Sequence, residues 1–302
     1  MNPSAYHDLL AHEAEAWNRS AEQQASGTPP DWRFRRQILC HAILQAADID
    51  DLLAHVRPGM RVLELGCGSG WLTLAMAQRG AEAHGIDIAG RALDLGRAYF
   101  ESIRSEVHGT ADYQEGDLNH LDLPAEQYDL VVAHGILHHL IEIERLVQQV
   151  SHALRPGGLL WISDFDGLEA PETVWAASAL MFVLPTRVSY REKISGLLRF
   201  RMRSLDRIRA SMHGDGASPF EGIGRGRDWP KLVGELFTVE RSAPHPAITG
   251  YLAAEVNMPE WIGRPLLLAL SAIDIRLVRW RLLRSSGLTM YARKPGGSPS
   301  PA

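Results

Sequence analysis

Apolar residues along the central third of the chain fall into short unbroken runs separated by stripes of helical period. Val62, Leu63 and Leu65 form the first run, the pattern of a strand buried on both faces of a parallel sheet. Trp71 to Arg79 is amphipathic and predicts a helix, and Ala81 to Ile86 is a second apolar run ending in Asp87. Residues 89 to 105, with Leu93, Leu95, Ala98, Tyr99 and Ile103, read as a helix. A short third strand over 111 to 117 follows, ending in Gly116-Asp117. Tyr128 to Ala133 predicts a fourth strand, and Leu146 to Leu154 completes a helix. Arg155-Pro-Gly-Gly158 then turns into a fifth strand over 159 to 163. Five alternating strand and helix units predict an α/β fold with a parallel, doubly wound sheet. Late strands over 236 to 241 and 288 to 293 extend it.

The flanks follow other patterns. Tyr6, Leu9, Leu10, Glu13 and Trp17 sit at helical spacing within residues 5 to 25, and Gly27-Thr-Pro-Pro30 reads as a linker. This helix is either packed permanently on the core or a lid that turns Tyr6, His7 or Trp17 to a substrate. A second helix is expected over 32 to 55, with Ile38, Ile43, Leu44 and Leu52 inward. Between Asp166 and Pro230 the strand-and-helix pattern stops. Residues 187 to 209 carry eight Arg or Lys against two acids, with Ile194, Leu198, Met202, Leu205 and Ile208 at helical spacing. That stretch reads as a solvated cap helix, with an acidic substrate or an anionic membrane surface as sharper alternatives. Gly214 to Gly226 is loop-like, and 265 to 284 is a strongly apolar helix interrupted by Asp274 and Arg276, which argues against a membrane span. The expected divisions are a helical lid (1–57), a nucleoside-binding core (58–166), an inserted cap (167–230), a C-terminal completion of the sheet (231–294) and a Pro/Gly/Ser tail (295–302).

Composition narrows the picture. The 302 residues carry a formal net charge of -5, which argues against a general nucleic-acid binder. Cys40 and Cys67 are the two cysteines, too few for a disulfide framework or a cysteine-ligated metal. The first residues lack the basic-then-apolar pattern of a secretory leader, so a cytoplasmic protein is expected.

The candidate chemistry lies at the first strand. Gly66, Gly68 and Gly70 turn the chain tightly after Leu65 and let a ligand approach the backbone. The dinucleotide fingerprint requires G-x-G-x-x-G, and Trp71 stands where its third glycine belongs. Glu64 brings negative charge where a pyrophosphate would lie, while Asp87 is placed to hold ribose hydroxyls. A zwitterionic, phosphate-free nucleoside suits these residues better, which leaves a nicotinamide-dependent reductase as a weaker reading.

Arg61-Val-Leu-Glu-Leu-Gly-Cys-Gly-Ser-Gly70, the later Asp87 and Leu154-Arg-Pro-Gly-Gly158 resemble the motifs of class I S-adenosylmethionine-dependent methyltransferases, over about Arg61 to Asp164. The resemblance implies a Rossmann-like sheet of seven strands with S-adenosylmethionine at its strand ends. It implies cofactor contacts from Glu64, Gly66, Cys67, Gly68, Gly70, Asp87 and Ile88. Asp117 and Leu118 are implied around the adenine, and His134 on the cofactor side. The loop His134-Gly-Ile-Leu-His-His-Leu140 is similar to that of small-molecule methyltransferases of the ubiquinone-biosynthesis type. His134 and His138 are four apart, but no Glu between them or third ligand completes a metal site. In related sugar and natural-product enzymes a His after strand four works with an Asp after strand five. His138 and Asp164 are the matching pair, expected as the catalytic base and its orienting carboxylate, with His134 and His139 as rivals. The implied partner is a small molecule, methylated at a hydroxyl in natural-product or glycan tailoring. Methylation at nitrogen or carbon, and a same-fold protein catalysing a reaction such as a cyclisation, are the alternatives.

Overall fold

The computed structural model describes residues 3–25, 46–165, 171–198, 219–220 and 228–296. Seven strands form one sheet in the order β3-β2-β1-β4-β5-β7-β6. They are β1 (Arg61–Leu65), β2 (Glu82–Asp87), β3 (Thr110–Glu115), β4 (Tyr128–His134), β5 (Leu154–Phe165), β6 (Thr238–Pro244) and β7 (Gly287–Arg293). Strands β1 to β5 pair in parallel, whereas β7 runs antiparallel to both β5 and β6. The expected doubly wound sheet of mostly parallel strands is therefore present, and the strand order reverses between β1 and β4, where such sheets bind ligands.

Helices α1 (Pro3–Ala25) and α2 (Ala46–His55) precede the sheet. Helices α3 (Trp71–Ala77), α4 (Gly90–Ser102) and α5 (Ile143–Ala153) are the crossovers between parallel strands. Each face of the sheet carries its own apolar layer. One is built on Leu63, Leu65, Val131, Ile143 and Leu160, the other on Val62, Leu72, Leu93, Leu130 and Trp161. Alternate residues of β1 and β4 thus supply opposite faces, as a strand covered on both sides requires.

Two boundaries differ from those the pattern predicts. Strand β5 begins at Leu154, so Arg155-Pro-Gly-Gly158 lies within the strand instead of before it. Its pairing slips between Tyr128↔Leu154 and Leu130↔Leu159, a bulge that absorbs the extra residues, and Gly157 and Gly158 exchange backbone hydrogen bonds with Lys294. Strand β6 starts at Thr238 because the helix before it, α8 (Trp229–Leu236), runs through Leu236.

Beyond β5 lies a group of helices. Helices α6 (Pro171–Val183), α9 (Thr249–Glu255) and α10 (Glu260–Arg279) share an apolar cluster of Ala177, Met181, Leu252, Leu267 and Val278, and α7 (Tyr190–Leu198) follows α6. Of the helix expected over 32–55, α2 is the described part, and α7 holds the first half of the basic stretch. Residues 32–45, 199–209 and 214–218, Asp166 and the tail from 297 lie outside the described residues.

Candidate functional site

The ends of β1, β2 and β4 open into one cavity of about 350 Å³, in the range of small-molecule sites. Its floor is the turn after β1. Amides of Gly66 and Cys67 both donate to the Ile86 carbonyl, at 2.8 and 3.1 Å, which fastens the turn to β2. Gly68 then donates from its amide to Asp87 Oδ2 at 2.8 Å, and Ala89 from its amide to Oδ1 at 2.8 Å. Two backbone donors thus fix the carboxylate and leave its remaining lone pairs for a ligand. Gly68 has φ +54°, and a Cβ there would meet no protein atom within 4 Å. The space beside it is a cradle that any side chain would begin to fill.

Nine of the ten cofactor-side residues expected from the sequence line this cavity: Glu64, Gly66, Cys67, Gly68, Asp87, Ile88, Asp117, Leu118 and His134. Gly70 is not on the wall. It stands before α3 at φ +75°, and a Cβ there would overlap the Tyr113 ring, so its place is set by packing.

Two acids share the floor. Glu64 is buried and accepts a hydrogen bond from Thr73 Oγ1. Burial pushes its carboxyl up to about 8; the Thr73 bonds oppose this and Asp87 adds to it. Burial also raises Asp87, against the backbone bonds from Ala89 and Gly68 that favour its charged form. Burial of Cys67 drives its thiol well up as well. The floor therefore disfavours added negative charge and has room for a cation beside Glu64.

Helix α1 forms the roof. Leu10, Glu13, Trp17 and Ala21 line the cavity from above. Tyr6 donates from its hydroxyl to Asp117 Oδ2 at 2.7 Å, and Asn18 Oδ1 accepts from the amides of Arg91 and Ala92 at the start of α4. Arg91 also pairs with Glu15 and Glu22. Of the three α1 residues expected to face a ligand, Trp17 does so, Tyr6 binds Asp117, and His7 is exposed. Asp117 is on the wall, yet its carboxylate already accepts from Tyr6 and from the Asn119 amide, with His120 Nδ1 2.7 Å away. Asn119 in turn accepts from the amides of Ile141 and Glu142, tying the β3 end to the loop after β4.

That loop carries the imidazoles. His138 Nδ1 lies 2.7 Å from Asp164 Oδ1, and the Leu137 amide donates to Oδ2 of the same carboxylate. The expected pair is thus assembled, but His138 is not among the residues that line the cavity. His139 does line the wall; it is buried, with its Nδ1 3.4 Å from Glu13 Oε1. The rings of His138 and His139 are 4.1 Å apart. His134 lines the cavity between Trp71 and Trp161. Among the described residues no cluster of three or more His, Cys, Asp or Glu could hold a metal ion.

Glu13, Ser69, Ile136 and Phe220 also line the site without having been expected there. Glu13 was recognisable as an acid on the inward stripe of an amphipathic helix. It is buried, accepting from Trp17 Nε1 at 2.6 Å and from the Phe220 amide at 3.2 Å. Phe220 belongs to a stretch with no periodicity and offered no such signal.

Comparison with known proteins agrees with this geometry. Residues 62–158 match the family model described as a methyltransferase domain. A ubiquinone biosynthesis O-methyltransferase of Leptothrix cholodnii is 38% identical over 109 residues, covering 35% of this chain and 44% of that relative. The corresponding protein of Azoarcus sp. is 35% identical over 106 residues, again 35% of this chain and 44% of the relative. The matched stretch therefore spans less than half the length of these curated relatives. Among solved structures, geranyl diphosphate C-methyltransferase from Streptomyces coelicolor A3(2) superposes with a TM-score of 0.55 at 13% identity, over 95% of this chain and 97% of that one. The [4+2]-cyclase SpnF gives 0.54 at 18% identity, over 95% and 96%. Both are likenesses of fold. The glycine turn, the acid after β2 and the strand order accompany this match: residues 62–158 are similar to a methyltransferase domain.

Proposed function

We propose that the protein transfers a methyl group from S-adenosylmethionine to a hydroxyl of a small molecule. The observation that carries this reading is the floor of the cavity. Gly68 leaves it open, Asp87 is fixed there by two backbone donors, and Glu64 adds a second acid to its wall. When bound, S-adenosylmethionine supplies an electrophilic methyl group on a sulfonium. Asp87 would accept from the ribose hydroxyls, Glu64 would face the ammonium, and Leu118 and Ile88 would flank the base. Asp117, already engaged by Tyr6, would act on the adenine side by holding the roof down.

The chain's own residues then handle the acceptor. Leu10 and Trp17 of the roof exclude water, and positioning of the acceptor supplies much of the acceleration. His138, its Nδ1 oriented by Asp164, would take the acceptor's proton on Nε2. A second reading places this role on His139 with Glu13, because His139, unlike His138, lines the cavity. The relatives' names point to quinone precursors, and the resemblance to sugar and natural-product enzymes points to tailoring; both supply hydroxyl acceptors. Incubation with S-adenosylmethionine and panels of phenols, sugars and polyketides tests the proposal. Stoichiometric S-adenosylhomocysteine with an O-methylated product is the expected result. An acceptor converted without S-adenosylhomocysteine would replace methyl transfer with another reaction, and methylation at nitrogen or carbon would remove the need for the base.

A further inference from the structure

Helix α10 is apolar on both sides, and one of them is uncovered. Positions 263, 267, 271, 274 and 278 recur at three or four residues and are buried, Leu267 and Val278 against α6 and α9. On the opposite side Trp261, Ile262, Leu268 and Ile273 are 78, 39, 47 and 53% exposed, and just past the helix end Trp280 and Leu282 are 69 and 63% exposed. Between Trp261 and Ile273 the outward side has one charged residue, Arg264. A helix apolar all round ordinarily lies wholly inside a protein or a membrane, and a contiguous exposed apolar patch marks a docking surface.

The fringe of the patch says what covers it. Arg264, Arg276, Arg279, Arg281 and Arg284 are all exposed. Of the two acids in the segment, Asp274 is buried and accepts from the amides of Ala247, Ile248 and Thr249, which leaves Glu260 at the helix start. Indole rings and aliphatic side chains edged by arginine match the boundary of a bilayer, where tryptophan settles at headgroup level and arginine meets lipid phosphate. A two-fold contact between copies would set the arginine fringe against itself. No described helix is long and apolar enough to cross a membrane. We propose that α10 docks the protein on an anionic lipid surface, lying in the headgroup plane with its Trp261–Ile273 side inward. None of these residues lines the cavity, so the proposal stands apart from the reaction.

Vesicle co-sedimentation of the full chain tests it, using phosphatidylcholine alone and phosphatidylcholine mixed with phosphatidylglycerol. Binding to the mixed vesicles at low salt, with a blue shift of tryptophan emission, is expected. Arg276→Gln with Arg279→Gln and Arg281→Gln should lower that partitioning roughly tenfold or more. Trp261→Ser with Leu268→Ser and Ile273→Ser should abolish it while S-adenosylmethionine affinity stays unchanged. Should the second variant misfold, the arginine variant and the unaltered protein still decide. Absence of binding to mixed vesicles at low salt overturns the proposal, as does binding that neither variant weakens. A dimer that dissociates in the serine variant, without vesicle binding, would assign the face to a second copy and overturn it equally.

Discussion

The phenol of Tyr6, near the start of the chain, donates a 2.7 Å hydrogen bond to Asp117 just past the end of β3. Burial and the Asp117 carboxylate raise the phenol's pKa and keep it protonated, so it remains a donor. Burial works against the ionised form of Asp117, but His120, Tyr6 and Asn119 outweigh it and hold that carboxyl below its usual range. Tyr6→Phe should weaken docking of α1 by about 1–2 kcal/mol, the bond being partly solvated. Faster amide exchange in α1 and faster ligand release are the readouts. Because the Asp117 pKa is depressed in the fold, its contribution to docking is present above the unfolded value and is lost as pH falls through the lowered one. Exchange in α1 should therefore rise in acid, and less so in the phenylalanine variant.

Asp87→Ala should weaken S-adenosylmethionine binding at least tenfold, since hydrogen bonds to a charged group contribute about 1.5–3 kcal/mol each. It also orphans the amides of Gly68 and Ala89, so calorimetry is read together with a melting curve. Gly68→Val should be worse, because its side chain enters the cradle and strains a backbone at φ +54°. Unchanged affinity in either folded variant would move the cofactor elsewhere.

Glu64, pushed up to about 8 by burial, is largely protonated at neutral pH before ligand binds. A cation arriving beside it favours the carboxylate, so binding of S-adenosylmethionine near neutral pH should release a proton. Calorimetry in buffers of different ionisation enthalpy would show this as a buffer-dependent heat, which Glu64→Gln should abolish. The same shift has a stability consequence. A carboxyl whose folded pKa is raised makes the fold less stable as pH rises from about 4.5 towards about 8. Glu64→Gln should flatten that decline.

The two imidazoles separate by substitution. If His138 is the base, His138→Ala lowers kcat by about 10²–10⁴ with little change in cofactor affinity. Asp164→Asn then gives a smaller loss. If His139 fills that role, His139→Ala and Glu13→Gln show those effects instead. Near-full turnover in both alanine variants, with chemistry limiting, would remove the base from the mechanism.

Much of the floor was legible in the sequence because local rules fix it. A buried strand, a glycine turn and an acid one strand later are specified within thirty residues, and Asp87, Gly68 and Glu64 stand where their order predicts. Pairing of His138 with Asp164 was implied by the resemblance to related enzymes, and the two side chains do meet. The roof was less legible, because α1 and Phe220 reach the cavity from sequence positions remote from it. Nothing in the spacing of Tyr6, Glu13 and Trp17 says which strand end they meet. Gly70 misled for a related reason: its neighbour is Tyr113, more than forty residues away, so a packing glycine looked like a binding one.

The roof and the floor are fastened by different forces. Backbone hydrogen bonds and apolar burial set the floor, whereas the junction of α1 with α4 includes, beside the Asn18 bonds, the exposed pairs of Arg91 with Glu15 and Glu22. Such pairs weaken as the Debye length shrinks from about 10 Å at 0.1 M salt to about 3 Å at 1 M. If the proposed methyl transfer is the reaction, ionic strength should adjust how often α1 opens. Where roof opening limits turnover, moderate salt should quicken each cycle, until α1 closes too seldom to keep water from the sulfonium.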